Sequence, residues 1–282
     1  MRRIVFVNGD FIPAEQAKIP IMDRGFLFAD GVYEVSAVLN GRLIDNDAHL
    51  ARFDRSLAAI RIPNPYPADV WAQLQVDLVD RNGLVEGLVY MEVTRGVAER
   101  DFAFPKDSRP TVVMFTQAKT ITHSPLAESG AAVVTVPDLR WKRRDIKSVA
   151  LLAQVLAKQA AVEAGVMEAW MVEDGAITEG SSSTAFIIVP GRRIVTRPLS
   201  HAILPGITRQ SVMRLAREHD LVVEERPFKL EEAYGATEAF LTSASSFVMP
   251  VVAIDGRPIG DGRPGPLTRK LRALYFEMAA AA

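Results

Sequence analysis

Apolar positions along the chain fall into short alternating runs separated by polar turns, with a few longer stretches at helical spacing. Residues 4–7 read as a strand, Asn8-Gly9 as a tight turn and Phe11-Ile12 as the returning strand. A loop over 23–30 leads into a strand over 31–39, and Asn40-Gly41 signals a second hairpin turn into 42–45. Leu50, Phe53, Leu57 and Ile60 recur at helical spacing, which predicts a helix over 48–60 with Asp47 as its cap. A second helix over 68–81 stops at Asn82-Gly83, and strands over 88–94 and 111–116 follow.

The second half is less regular. It offers a strand at 132–136, an apolar helix at 149–164, and a hairpin that opens at 168–173 and turns at Asp174-Gly175. After an apolar run at 185–189 come a helix at 210–219, a strand at 221–225 and a short helix at 230–234. Strands at 239–242 and 251–254 and a terminal helix after Pro266 close the chain. Such a mixture predicts two α+β domains. The polar segment 117–125 ends in proline and marks the junction: a small domain over 1–118, a linker over 119–125 and a larger domain over 126–282.

With 282 residues, 49% of them hydrophobic, the chain can bury such cores. Its formal net charge of -1 gives no field that would favour nucleic acid or an anionic membrane. The absence of cysteine excludes disulfides and thiolate metal sites, and fits a cytoplasmic protein. Two arginines near the start give way to Asn8-Gly9-Asp10 too soon for a secretory signal, and no apolar run reaches membrane-spanning length. The four histidines are scattered, so no metal site is expected.

Three stretches carry candidate chemistry. Lys147, in Asp145-Ile146-Lys147-Ser148, stands before the expected helix at 149–164. A cation there faces the positive end of the helix dipole, which favours the neutral amine that nucleophilic catalysis needs. Thr178-Glu179-Gly180 followed by Ser181, Ser182 and Ser183 reads as a strand interrupted where a ligand approaches the backbone. Leu204-Pro205-Gly206-Ile207-Thr208-Arg209 opens a helix whose first N–H groups can cradle an anion. Taken singly, each also reads as a surface lysine, a polar loop or an ordinary turn. Together they offer what pyridoxal phosphate needs: an amine, an acid for the ring nitrogen and a phosphate cradle. The basic segment Arg140 to Arg144, with Trp141, reads as a solvated edge.

Here the chain resembles the class IV, fold-type IV aminotransferases, and most closely the D-amino acid aminotransferases. The resemblance rests on Asp23-Arg24-Gly25, Asp30-Gly31-Val32-Tyr33-Glu34-Val35, Val93-Thr94-Arg95-Gly96, the Lys147 stretch, Leu156-Ala157-Lys158-Gln159, the Glu179 stretch and Gly206-Ile207-Thr208-Arg209, in family order. It implies a two-domain fold with the cofactor, pyridoxal 5′-phosphate, in the interdomain cleft. Lys147 would then join the cofactor aldehyde, and Glu179 would keep the ring nitrogen protonated, which favours transamination. By the same resemblance Arg52, Ile207, Thr208, Ser243 and Ala244 bind the phosphate, and Leu204 packs on the ring. Tyr33 lines the substrate site, and Arg100 holds the substrate carboxylate of a neighbouring subunit in a homodimer. Ala244 stands where a threonine is common, Phe102 where a histidine is usual, and Thr184 where an asparagine is frequent.

The expected activity is therefore transfer of an amino group between a D-amino acid and 2-oxoglutarate or pyruvate. Phe102 leaves open a class IV enzyme preferring (R)-amines or L-branched-chain amino acids, and the same scaffold serves 4-amino-4-deoxychorismate lyase.

Overall fold

The structure is a computed structural model that describes residues 3–281. The chain divides into two compact units; the first comprises the residues up to Thr120 and takes back Ile146–Ala150, and the second comprises Ile121–Asp145 and Leu151–Ala281.

The first unit contains β1 (Ile4–Val7), β2 (Asp10–Pro13), α1 (Arg24–Phe28), β3 (Gly31–Leu39), β4 (Arg42–Leu43), α2 (Asn46–Ala59), α3 (Ala68–Asn82), β5 (Glu86–Thr94) and β6 (Thr111–Ala118). The strands form one sheet in the order β2-β1-β6-β5-β3-β4, antiparallel at every pairing. Alternation along the strands sends Val32, Val38, Val89, Met91, Val93 and Met114 to the face covered by α2 and α3. There they meet Phe53, Leu57, Trp71 and Leu78, with the Phe53 and Trp71 rings edge to face at 5.4 Å. Helix α2 begins at Asn46, and Asp45 before it is left-handed and makes no side-chain cap, so Asp47 is not the cap. The expected loop at 23–30 contains α1, whose amide at Gly25 is accepted by the Asp23 carboxylate. Gly96 has φ +92°, and a Cβ there would lie 1.8 Å from the Arg109 carbonyl oxygen, so only glycine lets those backbones meet.

The second unit contains α4 (Pro125–Ser129), β7 (Ala131–Pro137), α5 (Leu152–Glu163), β8 (Glu168–Glu173), β9 (Ala176–Gly180), β10 (Thr184–Val189) and β11 (Arg193–Thr196). It continues with α6 (Ile207–Glu218), β12 (Val223–Glu225), α7 (Leu230–Tyr234), β13 (Glu238–Ser243), β14 (Phe247–Ile254), β15 (Arg257–Pro258) and α8 (Pro266–Ala281). Its mixed sheet runs β12-β11-β10-β13-β14-β7-β8-β9, with β15 beside β14; the β11–β12, β14–β7 and β7–β8 pairs are parallel. One core joins Val133, Trp170, Ile187, Leu241 and Val251 to Phe228. A smaller one seats Ala157 and Ala161 of α5 on Ala169 and Met171 of β8, small residues that let helix and sheet approach. Helix α8 starts at its proline, and the Glu238 carboxylate accepts the amides of Leu267 and Thr268, at 3.1 and 2.8 Å. Among the described residues no helix is long and apolar enough to cross a membrane.

Candidate active site

Lys147 does not open a helix. α5 begins at Leu152, and residues 146–149 run instead along β3: Val32 and Ser148 form an antiparallel bridge. The Tyr33 amide donates to the Lys147 carbonyl at 2.9 Å, and Val149 N–H donates to the Gly31 carbonyl at 3.1 Å. Ser56 Oγ of α2 accepts the Lys147 amide at 3.2 Å, and Ile146 is buried in the first unit's core. The helix-dipole argument therefore fails, because that field fades within one turn. An extended backbone clamped on both sides aims the side chain instead. Its Nζ lies 4.2 Å from the centre of the Tyr33 ring, half-buried, with no carboxylate in ion-pair reach among the described residues. Tyr33 in turn stacks on Tyr90 at 5.5 Å.

On the opposite face of β3 sits Arg52. It reaches Glu34 through two parallel bonds, Nε to Oε2 at 2.9 Å and Nη2 to Oε1 at 2.6 Å. His49 Nδ1 lies 2.9 Å from the same Oε1. All three side chains are buried. Burial alone would raise the Glu34 carboxyl, but Arg52 and His49 overcome it and hold the group well below the usual range. The guanidinium is thereby fixed in one orientation, which suits planar recognition of a phosphate.

Arg100 is exposed; its guanidinium lies 5.4 Å from the Phe28 ring centre and 5.8 Å from that of Phe102. Phe102 is 79% exposed. The backbone carrying them is tied down by Arg24, which donates to the Asp101 carbonyl at 2.5 Å while pairing with Asp30.

In the second unit Glu179 lies buried on β9. It accepts the Leu204 amide at 3.1 and 3.2 Å and pairs with the Arg140 guanidinium. Arg140 is shared with Asp138, at 2.7 Å, and Asp138 also accepts the Thr178 hydroxyl at 2.7 Å. Burial pushes the Glu179 carboxyl up, against the pull of Arg140 and the Leu204 amide. The basic segment is thus a solvated edge only in part. Arg140 and Arg144 have buried side chains, the latter pairing with Glu173 at 2.9 Å, while Lys142 and, less fully, Arg143 reach solvent.

The hydroxyls of the serine run gather on a carboxylate: Ser182 and Ser183 donate to Glu168 at 3.0 and 3.2 Å, and Ser181 donates to it as well. Thr184 has a packing role, because a Cβ on Gly206 would lie 2.7 Å from its hydroxyl oxygen. Gly206 begins α6, and no side chain caps that helix, so the N–H groups of Ile207 and Thr208 keep no side-chain acceptor. Ser243 bonds Ser246 at 2.7 Å, Ala244 is half-buried beside it, and the Thr242 hydroxyl is buried without a partner.

The structure thus brings Lys147 to Tyr33, Glu179 to Leu204 and Ser243 to its serine neighbours. It sets the Arg100 guanidinium near the rings of Phe28 and Phe102. Sequence reasoning missed Glu34 and His49 behind Arg52, and Asp138 and Arg140 behind Glu179. For Glu34 a signal existed: it shares the strand face of Val32 and Val38, where an acid needs a buried partner.

Residues 31–254 match the family model for amino-transferase class IV. The chain belongs to that family. A D-alanine aminotransferase of Staphylococcus aureus is 39% identical over 269 residues, covering 95% of each chain. One of Bacillus licheniformis is 40% identical over 271 residues, covering 95% of this chain and 94% of its own. Among solved structures, the branched-chain aminotransferase of the thermophilic archaeon Thermoproteus uzoniensis with norvaline superposes with a TM-score of 0.87 at 25% identity, over 100% of this chain and 96% of that one. The branched-chain amino acid aminotransferase of Thermobaculum terrenum in its PLP form gives 0.86 at 26%, over 99% and 94%. The fold is therefore fold type IV, and the protein is a pyridoxal-phosphate-dependent aminotransferase acting on amino and 2-oxo acids. The residues present fit that cofactor: an amine without an ion-pair partner, a buried acid, uncapped helix amides, and an orphaned hydroxyl at Thr242.

Proposed function

We propose that the protein transfers an amino group between a D-amino acid such as D-alanine and 2-oxoglutarate or pyruvate. The supporting observation is the run of relatives named D-alanine aminotransferase, at 39–40% identity over 95% of the chain. Pyridoxal phosphate supplies the aldehyde that captures the amino group and the ring that takes up electrons from the substrate's Cα. Lys147 would hold the aldehyde, and its Nζ, once freed by the substrate, would take the proton from Cα and deliver it to the former aldehyde carbon. Glu179 accepts the ring N–H and keeps it charged. Arg52, the amides of Ile207 and Thr208, and the loop at Ser243 and Ala244 neutralise the phosphate, and Leu204 packs on the ring. Tyr33 orients the substrate beside Lys147.

Arg100, exposed and lacking a carboxylate partner among the described residues, serves the active site of a second copy of the chain. A homodimer is further supported by α5, which exposes Leu152, Val155, Leu156 and Val162. The site of action is the cytoplasm.

Replacing Lys147 with alanine should abolish turnover of D-alanine with 2-oxoglutarate, together with the absorbance of the lysine-bound cofactor. A variant that stays active would defeat the role given to this residue. The apolar Phe102 beside Arg100 favours a second reading, activity on (R)-amines or L-branched-chain amino acids. Assaying D-alanine, L-leucine and (R)-1-phenylethylamine against one acceptor separates the two.

A further inference from the structure

The loop that carries Arg100 is irregular, yet a buried cation ties it down. Residues 95–110 join β5 to β6 without a helix or longer strand of their own, and 99–104 are exposed. The near end is stitched to α1 and the turn before it. Arg24 N–H donates to the Gly96 carbonyl at 2.9 Å, and Ala98 N–H to the Met22 carbonyl at 3.3 Å. Farther along, the Phe104 ring centre lies 3.7 Å from the Arg95 guanidinium carbon and 4.8 Å from that of Arg61. Arg100 stands between these anchors, where the tie is the Arg24 side chain. Its Nε pairs with Asp30 at 2.8 Å, and Nη1 and Nη2 donate to the Asp101 and Phe102 carbonyls at 2.5 and 3.5 Å. Phe28, one turn after Arg24 on α1, serves both cations. Its ring centre is 4.8 Å from the Arg24 guanidinium carbon and 5.4 Å from that of Arg100.

From this arrangement we propose that Arg24 and Phe28 are positioning residues for the substrate carboxylate: Arg24 fixes the backbone beside Arg100, and Phe28 holds its guanidinium. The proposal rests on the role given above to Arg100 in the active site of a second copy. A long exposed side chain on a loose loop loses conformational freedom when it grips a ligand, and binding is weakened by that loss. A planar fork that meets an acid and two carbonyls at once settles the loop beforehand, which a point charge cannot do. The aromatic ring restricts the guanidinium in the same sense. Arg24 shares its chain with one lysine but serves the other copy's lysine. A defect at Arg24 therefore weakens carboxylate binding in the neighbouring site and leaves its own chain's Lys147 and Tyr33 unharmed.

The test compares KM and kcat for D-alanine, with 2-oxoglutarate as acceptor, in holoenzyme carrying Arg100→Met, Arg24→Met or Phe28→Leu. Arg100→Met should raise KM roughly tenfold or more, the loss of one charge-assisted contact. Arg24→Met should raise it roughly fivefold and Phe28→Leu about threefold, each with kcat kept within about twofold. Asp30 keeps Arg95 in Arg24→Met, at 2.8 and 3.0 Å in the parent, so the fold is retained. Hydrogen exchange checks this: amides of 99–104 should exchange faster while those of β3 and β5 keep their protection. Mixed dimers then locate the effect. An Arg24→Met chain paired with a Lys147→Ala chain has one lysine-bearing site, served by the chain with intact Arg24, and its KM should return to the wild-type value. A KM that stays raised there, or the absence of any dimer, overturns the proposal. So does an unchanged KM in both Arg24→Met and Phe28→Leu beside a raised one in Arg100→Met. If Arg100→Met itself leaves KM unchanged, the role of Arg100 falls and the proposal falls with it. Should the wild type act on L-leucine and not on D-alanine, the D-specific reading fails, and the same comparison with L-leucine still decides the roles of Arg24 and Phe28.

Discussion

Two buried glutamates, one in each unit, are each gripped by an arginine, yet they are driven in opposite directions. Glu34 has Arg52 to itself through two parallel bonds and has His49 as well, so it is held as an anion. Glu179 shares Arg140 with Asp138, whose own negative charge lies close by and raises it further. The difference teaches that counting ion pairs is not enough; the outcome turns on how many anions divide each cation. The first arrangement fixes a neighbouring guanidinium. The second leaves an acid still in want of positive charge, which suits the role proposed for it beside a protonated ring nitrogen.

The sharpest way to break this contrast is to neutralise each acid. Glu34→Gln leaves Arg52 buried without its counter-charge and should cost about 3–5 kcal/mol, measured by urea unfolding. Glu179→Gln leaves Arg140 paired with Asp138, so unfolding at neutral pH should show no loss of stability. Its turnover should instead fall roughly a hundredfold in kcat, as expected when a preorganised charge is removed. If the two variants exchange these phenotypes, the assignment of roles is wrong.

Acid titration sharpens the comparison with a smaller effect. The folded-state pKa of Glu34 lies below its unfolded value, so the stability it contributes is present above the ordinary value of 4.5 and is lost as pH falls toward the folded one. Glu179 is raised, so its contribution is present below 4.5 and lost as pH rises through its folded value. Urea midpoints followed as pH falls from neutral to below the ordinary carboxylate value should therefore lose part of their acid slope in Glu34→Gln and not in Glu179→Gln. The smallest expected change touches neither acid. Phe102→His adds one donor near Arg100, which should lower KM for D-alanine about threefold with kcat little changed.

Elements with strong periodicity were legible in the sequence. The strand at 31–39, the helix stopped at Gly83 and the short helix at 230–234 all stand in the structure, because turn chemistry and core spacing agree there. The Lys147 segment reads as a helix start because its partner strand lies more than a hundred residues earlier, and no local pattern reports a long-range pairing. Arg140 and Arg144 look like surface charge for a similar reason. Their acids, Glu179 and Glu173, lie about thirty to forty residues downstream and become neighbours only when β8 and β9 form. The lysine, the acid and the helix start proposed for the site stand out in the sequence itself, since each proposed chemistry demands a particular residue type. What holds them in place was not.

The five-residue return of Ile146–Ala150 makes the polypeptide enter the first unit twice. No single scission can separate the halves intact. A fragment ending at Thr120 would lack the strip that zips onto Gly31, Val32 and Tyr33 and would leave that edge of β3 bare. During synthesis the amino-terminal half must therefore wait for its last strip until the ribosome has made the first stretch of the other.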